Sequence, residues 1–276
     1  HPAIERIAAD ASDAGALSRL AEGAVGLYNC ANPAYHRWPT DWPPIARALL
    51  TAAEHSGAVL ATVGNLYGYG PVDAPMTERT PLRATSVKGG VRVRMWQDAL
   101  AAHQAGRARV TEVRGSDYLG AGAQTPLTVL VMPRVLAGKR AVVPADLDVP
   151  HSWTYVGDVA RTLVAAAEHE HAWGRAWHVP SAPAASVREL AAQIATLAGT
   201  PAPRLSQMPA PVLWLGGVFD RTVRELRETT YQFRRPFVLD SSAATAAFGI
   251  EPTALDRSLR ETIGPARAVE RTGRAG

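Results

Sequence analysis

Lys88 and Lys139 are the only lysines of the chain, whose other basic residues are arginines, and Lys88 is followed directly by Gly89 and Gly90. A lysine in that setting suits a desolvated base or an anion clamp, because burial disfavours the charged ammonium. The plain alternative is an exposed lysine ahead of a helix, with Arg92 and Arg94 as surface charges. Tyr67 and Tyr69 belong to the glycine-rich run Tyr67-Gly68-Tyr69-Gly70. A phenol there can donate or accept a proton, or it can only pack and touch a substrate. The run Pro33-Ala34-Tyr35-His36-Arg37-Trp38 offers Tyr35, His36 and Trp38 as pocket lining or as loop packing. Cys30 has no histidine placed locally to activate it, so it reads as a small buried thiol. His169 and His171 are two apart with no carboxylate at metal-site spacing, so no metal is expected.

These residues need elements to hold them. Residues 4–8 read as a short strand ending at Asp10, and residues 13–22 as a helix capped by Asp13. Residues 25–31 read as a buried strand, followed by a loop rich in proline and tryptophan. Residues 44–56 have helical spacing at Ile45, Leu49 and Ala52, and Gly57 suits the helix end. Strands follow at 58–63 and 108–113, with a helix over 90–105 between them. The alternation predicts a mostly parallel sheet covered on both faces, whose ligands bind beyond the carboxyl ends of the strands. The second half is less regular. It reads as helices over 156–169 and 186–198, a short strand over 176–179, and a proline-marked linker from Pro201 to Pro211. Further helical patterns cover 218–232 and 241–247, ahead of a frayed tail from Ala266. Trp153, Trp173 and Trp177 read as core of a smaller lobe.

Composition narrows the classes. The chain has 276 residues, 47% hydrophobic and 20% charged, which fits one large domain or two modest ones and excludes wholesale disorder. The net charge is +4, but arginines alternate with acids, as in Arg224-Glu225 and Arg227-Glu228. With no dense basic stripe, nucleic acid is not an expected partner. No run approaches the roughly 18 apolar residues of a membrane span, and no secretion signal is seen. The single cysteine excludes an intrachain disulfide. A reducing cytoplasm is the expected compartment.

Six segments, in order, carry a resemblance. Ala8-Ala9-Asp10-Ala11-Ser12-Asp13 looks like a strand ending with an aspartate for an adenine amino group. Tyr28-Asn29-Cys30-Ala31-Asn32 is similar to "H-x-A-A", and Asn65-Leu66-Tyr67-Gly68 to "V-Y-G". Arg114-Gly115-Ser116-Asp117-Tyr118-Leu119-Gly120 resembles "R-P-G-N-V-Y-G". Tyr155-Val156-Gly157-Asp158-Val159-Ala160 resembles "V-H-V-x-D-V-A", and Phe248-Gly249-Ile250-Glu251-Pro252 resembles "L-G-W-x-P". Together they resemble the extended short-chain dehydrogenase/reductases, and within them the NAD-dependent epimerase/dehydratase family.

That resemblance implies a Rossmann-like, doubly wound α/β fold with a smaller mixed C-terminal lobe. The nucleotide-binding part is expected over 1–120 and the substrate lobe over 121–265, with 151–180 returning to the core. NAD or NADP is the implied cofactor, held by Asp10, Ala11, Asn29, Cys30, Ala31, Asn32, Arg92, Gly115 and Ser116. Tyr35, His36, Tyr69 and Asp117 are implied substrate contacts. The chain departs from the family in two ways. It begins at what resembles the third strand, so the Gly-rich turn is not in it and a fragment is expected. The serine, tyrosine and lysine of the family's triad also do not align. Placing Thr80-Pro81-Leu82 on the family's "T-P-L" sets Lys88 at the tyrosine position and Arg92 at the lysine position. Counting back from Tyr67 puts Val63 at the Ser/Thr position, with Thr62 beside it as a substitute. Lys88, Tyr67 and Thr62 are therefore the catalytic candidates of an atypical oxidoreductase or epimerase acting on a small polar, sugar-like substrate. The alternative is a non-catalytic NAD(P)-binding sensor. A homodimer is implied by analogy alone.

Overall fold

The computed structural model of the protein describes residues 3–209, 212 and 227–273. Helix α1 (Ala14–Leu20) is capped by the Asp13 carboxylate, which accepts from the Ala16 N–H at 2.9 Å. Strand β1 (Gly26–Asn29) follows. Helix α2 (Trp38–Ser56) ends on Gly57, whose φ of 72° is the left-handed conformation glycine takes without strain. Then come β2 (Val59–Asn65), α3 (Val87–Gln104), β3 (Arg109–Gly115) and β4 (Asp117–Leu119). The chain continues through α4 (Met132–Leu136), β5 (Ala141–Val143), β6 (Trp153–Tyr155) and α5 (Val156–Glu168). It closes with β7 (Arg175–His178), α6 (Val187–Ala198), β8 (Leu205–Gln207), α7 (Ser242–Phe248) and α8 (Leu255–Gly273).

Strands β1, β2, β3 and β7 form one parallel sheet in that order. Side chains alternate between its faces. Leu60 and Val110 face Trp96 of α3, while Val59, Ala61 and Val113 pack against Val159, Leu163 and Ala166 of α5. Helices therefore cover both faces, and the fold is Rossmann-like α/β. A separate cluster joins β4, β6, α4, α6 and α8 around Trp153, Leu190, Ile194 and Leu259. Among the described residues no helix is long and apolar enough to cross a membrane.

Several expectations are corrected. Residues 4–8 form no strand, and Ile4 and Ile7 are exposed because no strand among the described residues pairs with them. Helix α2 starts at Trp38 and not at 44. Trp38 and Trp42, four residues apart on one face, are buried, and that packing carries the helix through Pro43 and Pro44. Trp173 and Trp177 pack on the main sheet, because β7 is its fourth strand; Trp153 alone of the three joins the second cluster. The linker after Pro201 contains β8, paired with β5. Of the helix expected over 218–232, residues up to 226 lie outside the described residues, and Arg227–Phe233 is a 3-10 helix. Backbone helix α8 runs to Gly273, into the stretch expected as a frayed tail.

Candidate active site at the strand ends

The loops leaving β1, β2 and β3 converge at their carboxyl ends. Beyond β1 the chain makes a 3-10 turn at Tyr35–Arg37, and beyond β2 another at Tyr67–Tyr69. They meet through Tyr35 Oη, which donates to Tyr67 Oη at 3.3 Å. Asn65 Oδ1 accepts from the Tyr67 N–H at 3.2 Å and fixes the second turn. Lys88 enters on the first turn of α3, where Ser86 Oγ accepts from the Gly89 N–H at 3.0 Å. Its ammonium lies 4.3 Å from the Tyr35 ring centre and is ion-paired to Glu228. Asp117 opens β4, and its Oδ2 lies 2.8 Å from His151 Nε2.

The pairings at His151 are determined by its neighbours. Nδ1 faces the Gln232 carbonyl at 3.1 Å, and the ring stacks on Phe233 and Phe237 with centroid distances of 4.8 and 5.6 Å. Ser116 Oγ lies 3.4 Å from the same Nε2. Burial pushes the Tyr67 phenol well above its usual range, and the charge of Asp117 and the phenol of Tyr35 add to the effect. Tyr35 is raised by burial too, though Lys88 opposes the shift. Tyr118, which donates to the Gly64 carbonyl at 3.0 Å, is pushed up to about 12 by burial.

With this geometry, the sequence matches the NAD dependent epimerase/dehydratase family over residues 8–179. The chain belongs to that family. Solved structures of similar fold agree. MoeE5 in complex with UDP-glucose and NAD has 20% identity and a TM-score of 0.74, over 95% of this chain and 85% of that one. The dTDP-glucose 4,6-dehydratase of Bacillus anthracis in complex with NAD has 18% identity and a TM-score of 0.75, over 98% and 82%. The UDP-glucose 4-epimerase of Thermotoga maritima with UDP-glucose has 17% identity and a TM-score of 0.75, over 95% and 84%. No curated protein sequence matches significantly.

Within this epimerase/dehydratase-family chain, the residues singled out from sequence separate into three groups. Tyr35, Tyr67, Lys88 and Asp117 come together at the mouth. Arg92 lies just below it. Its guanidinium carbon sits 4.7 Å from the Trp38 ring centre and 4.4 Å from that of Trp42, and Nη1 donates to the Val63 carbonyl at 3.2 Å. Its Nε is buried without a partner among the described residues. Asp10 is exposed and accepts from the Ser12 N–H and Oγ at 2.8 and 2.7 Å, which lowers its carboxyl below the usual range. Ala11 is half-buried in the same turn. Asn29 is buried, with Oδ1 accepting from the Ala31 N–H at 3.2 Å, and Asn32 is exposed.

The third group lies elsewhere. Thr62 is in register with Asn29 and Glu112, and all three line a cleft of about 890 Å³ between α2 and α3. That places Thr62 on the sheet face covered by α2 and α3. Tyr69 is buried in a chain of bonds: Arg114 Nη1 donates to Tyr69 Oη at 2.8 Å, and Tyr69 Oη lies 2.7 Å from His178 Nε2. It is only 1% exposed, so its hydroxyl lies beneath the surface. Gly115 and Ser116 are buried, with the Ser116 N–H on Thr154 Oγ1 at 2.9 Å. His36 is exposed, as is Cys30, against the expected buried thiol: it follows the last residue of β1, where no further strand covers it. Sequence reasoning missed His151 and Glu228. Each stands far along the chain from the residue it meets, so no local spacing marks it.

Proposed function

We propose that the protein is an NAD-dependent oxidoreductase or epimerase that acts on a carbinol or carbonyl of a small polar substrate, in a reducing cytoplasm. The observation that carries this reading is the convergence of Tyr35, Tyr67, Lys88 and Asp117 at the ends of three adjacent parallel strands. The chain's donor set fits the dinucleotide at the positions it supplies. Asp10 is an ionised, exposed acceptor for an adenine amino group. The open backbone of Cys30 to Asn32 admits a flat approach. Arg92 holds a buried donor that a ribose hydroxyl would satisfy. The nicotinamide supplies the hydride acceptor when bound.

The chain's own residues handle charge and protons. Tyr67 stays a neutral phenol and donates a hydrogen bond to the substrate oxygen. Lys88, its ammonium over the Tyr35 ring and paired with Glu228, fixes Tyr35 beside Tyr67. For a carbonyl substrate the proton that Tyr67 gives is replaced by Tyr35 Oη, which donates to Tyr67 Oη; for a carbinol the released proton passes outward along the same two phenols. The described residues of 121–265, apart from 151–180 in the core, supply the second lobe beside the substrate.

Titration of NAD into the full chain by calorimetry tests the first step. Lys88→Ala and Tyr67→Phe should each lower NAD reduction about 100-fold or more while NAD still binds. NAD binding with no turnover across a panel of sugars would favour a sensor instead. Lys88 pinned by Glu228 and Val63 in place of a hydroxyl residue are what support that second reading. No binding of NAD would overturn both.

A further inference from the structure

We propose that Asp117, held by His151, is a specificity determinant that takes a hydrogen-bond donor of the substrate, a hydroxyl or an ammonium, and rejects a phosphate at that place. The inference rests on the mouth being the substrate site. Asp117 Oδ2 is occupied by His151 Nε2 at 2.8 Å. His151 is only 1% exposed and cannot turn, because the Gln232 carbonyl holds its other nitrogen and Phe233 and Phe237 stack on the ring. The carboxyl group is therefore fixed by a buried partner, and one oxygen, Oδ1, is left over.

Asp117 opens β4 two residues beyond the carboxyl end of β3, and its side chain keeps 16% exposure. The charge of Asp117 raises the phenols of Tyr35, Tyr67 and Tyr118, which lie on the two neighbouring strand-end loops and on β4 itself. The other charges there are engaged. Glu228 accepts from the Lys88 ammonium and from the N–H groups of Val87 and Lys88. Arg92 lies between two tryptophans. Oδ1 is thus the anionic acceptor that the mouth offers a ligand. Whichever atom carries the proton between Nε2 and Oδ2, Oδ1 has none to give. Phosphate oxygens at neutral pH are acceptors, and an acceptor facing an acceptor has no hydrogen between them.

Three probes test it on the full chain with NAD present: glucose, glucosamine and glucose 1-phosphate, titrated by calorimetry. The wild type should bind glucose or glucosamine about ten-fold or more tighter than glucose 1-phosphate. A glucosamine advantage identifies the ammonium as the recognised donor, and parity with glucose identifies a hydroxyl. In Asp117→Asn the NH2 donates to His151 Nε2, because Nδ1–H is committed to the Gln232 carbonyl, and a neutral amide oxygen is left facing outward. The preference over glucose 1-phosphate should then shrink several-fold, glucosamine losing most, because the charge is gone. A structural role alone would weaken all three probes together and leave the ratio unchanged. Wild-type preference for glucose 1-phosphate, an unchanged ratio in D117N, or failure of both neutral and cationic probes to bind would overturn the proposal. NAD titrated alone separates such a failure from failure of the dinucleotide reading, and the wild-type ratio stands even if D117N does not fold.

Discussion

Glu228 caps the N-terminus of α3 and neutralises Lys88 in the same contact, although 140 residues separate the two in the chain. Its Oε2 accepts from the Val87 N–H at 2.8 Å and from the Lys88 N–H at 3.4 Å, and its Oε1 takes the ammonium. A carboxylate at a helix N-terminus satisfies amide donors that have no partner within the helix. The lysine side chain is 2% exposed and the glutamate 23%, so the pair is largely shielded from water.

Removing one member of such a pair leaves a buried charge uncompensated, whereas removing both does not. Glu228→Gln should cost about 2 kcal/mol or more of stability, below the range for fully buried pairs because the glutamate retains some solvent. The double variant Lys88→Met/Glu228→Gln should recover part of that loss. Urea denaturation of the wild type, both single variants and the double variant gives the cycle. Strictly additive losses would show that the two side chains do not depend on each other.

Gly64 faces a neighbour that leaves no room for a side chain. It pairs with Arg114 in the β2–β3 register, and a Cβ there would lie 2.6 Å from Glu112 Oε1. That oxygen accepts from Arg114 Nε at 2.7 Å in a pair that is 4% and 8% exposed. Gly64→Ala must displace the carboxylate and loosen the pair. The expected loss is about 2–3 kcal/mol, read as a lower thermal midpoint, while Gly90→Ala, in open space, should be close to neutral.

What the sequence disclosed follows the range of the interactions. Strand β2 was legible because its run carries no charge, as a strand covered on both faces needs, while β1 and β3, which contain Asn29, Glu112 and Arg114, were placed by their alternation with helices. Asp13 and Gly57 marked helix ends because a cap is decided within four residues. Lys88 stood out by its rarity, and Asp117 by its place after β3. His151 was not legible, since it meets Asp117 across 34 residues and through a bond that no motif encodes. Glu228 was hidden for the same reason. The start of α2 was masked by its prolines, whose local preference is overruled by the burial of Trp38 and Trp42. Thr62 and Val63 are neighbours in β2 and so face opposite sides of the sheet, a distinction that one step of alignment decides.

His178 makes stability depend on acidity. Nδ1 faces the Asp240 carbonyl at 2.9 Å and Nε2 lies 2.7 Å from Tyr69 Oη, so a neutral ring donates at one nitrogen and accepts at the other. Burial lowers its proton affinity below the ordinary histidine value. The unfolded chain therefore takes up a proton at a pH where the folded chain does not. This contribution is complete above about pH 6.5 and is lost as pH falls from there towards the folded value. His178→Gln should flatten the acid limb of the stability curve relative to wild type. The check is urea denaturation of both proteins from neutral pH to about pH 5, and parallel curves would sink the assignment.

Cys30 gives the dinucleotide reading a probe of its own. It is the single cysteine of the chain, it is exposed, and it immediately follows β1, where the cofactor is proposed to lie against residues 29–32. An exposed thiol reacts without unfolding, but as its thiolate, and partial burial raises the Cys30 thiol above its usual range, so the native protein reacts more slowly than the denatured one. A disulfide reagent such as dithionitrobenzoate should modify one equivalent in the native protein, at a rate no slower than about a tenth of that in denaturant, the margin allowed for its neighbours. Saturating NAD should slow that reaction, because a bound dinucleotide covers the strand end. Cys30→Ser should leave the fold intact and abolish the signal. Modification that proceeds equally fast with and without NAD, in protein shown by calorimetry to bind it, would place the dinucleotide away from β1.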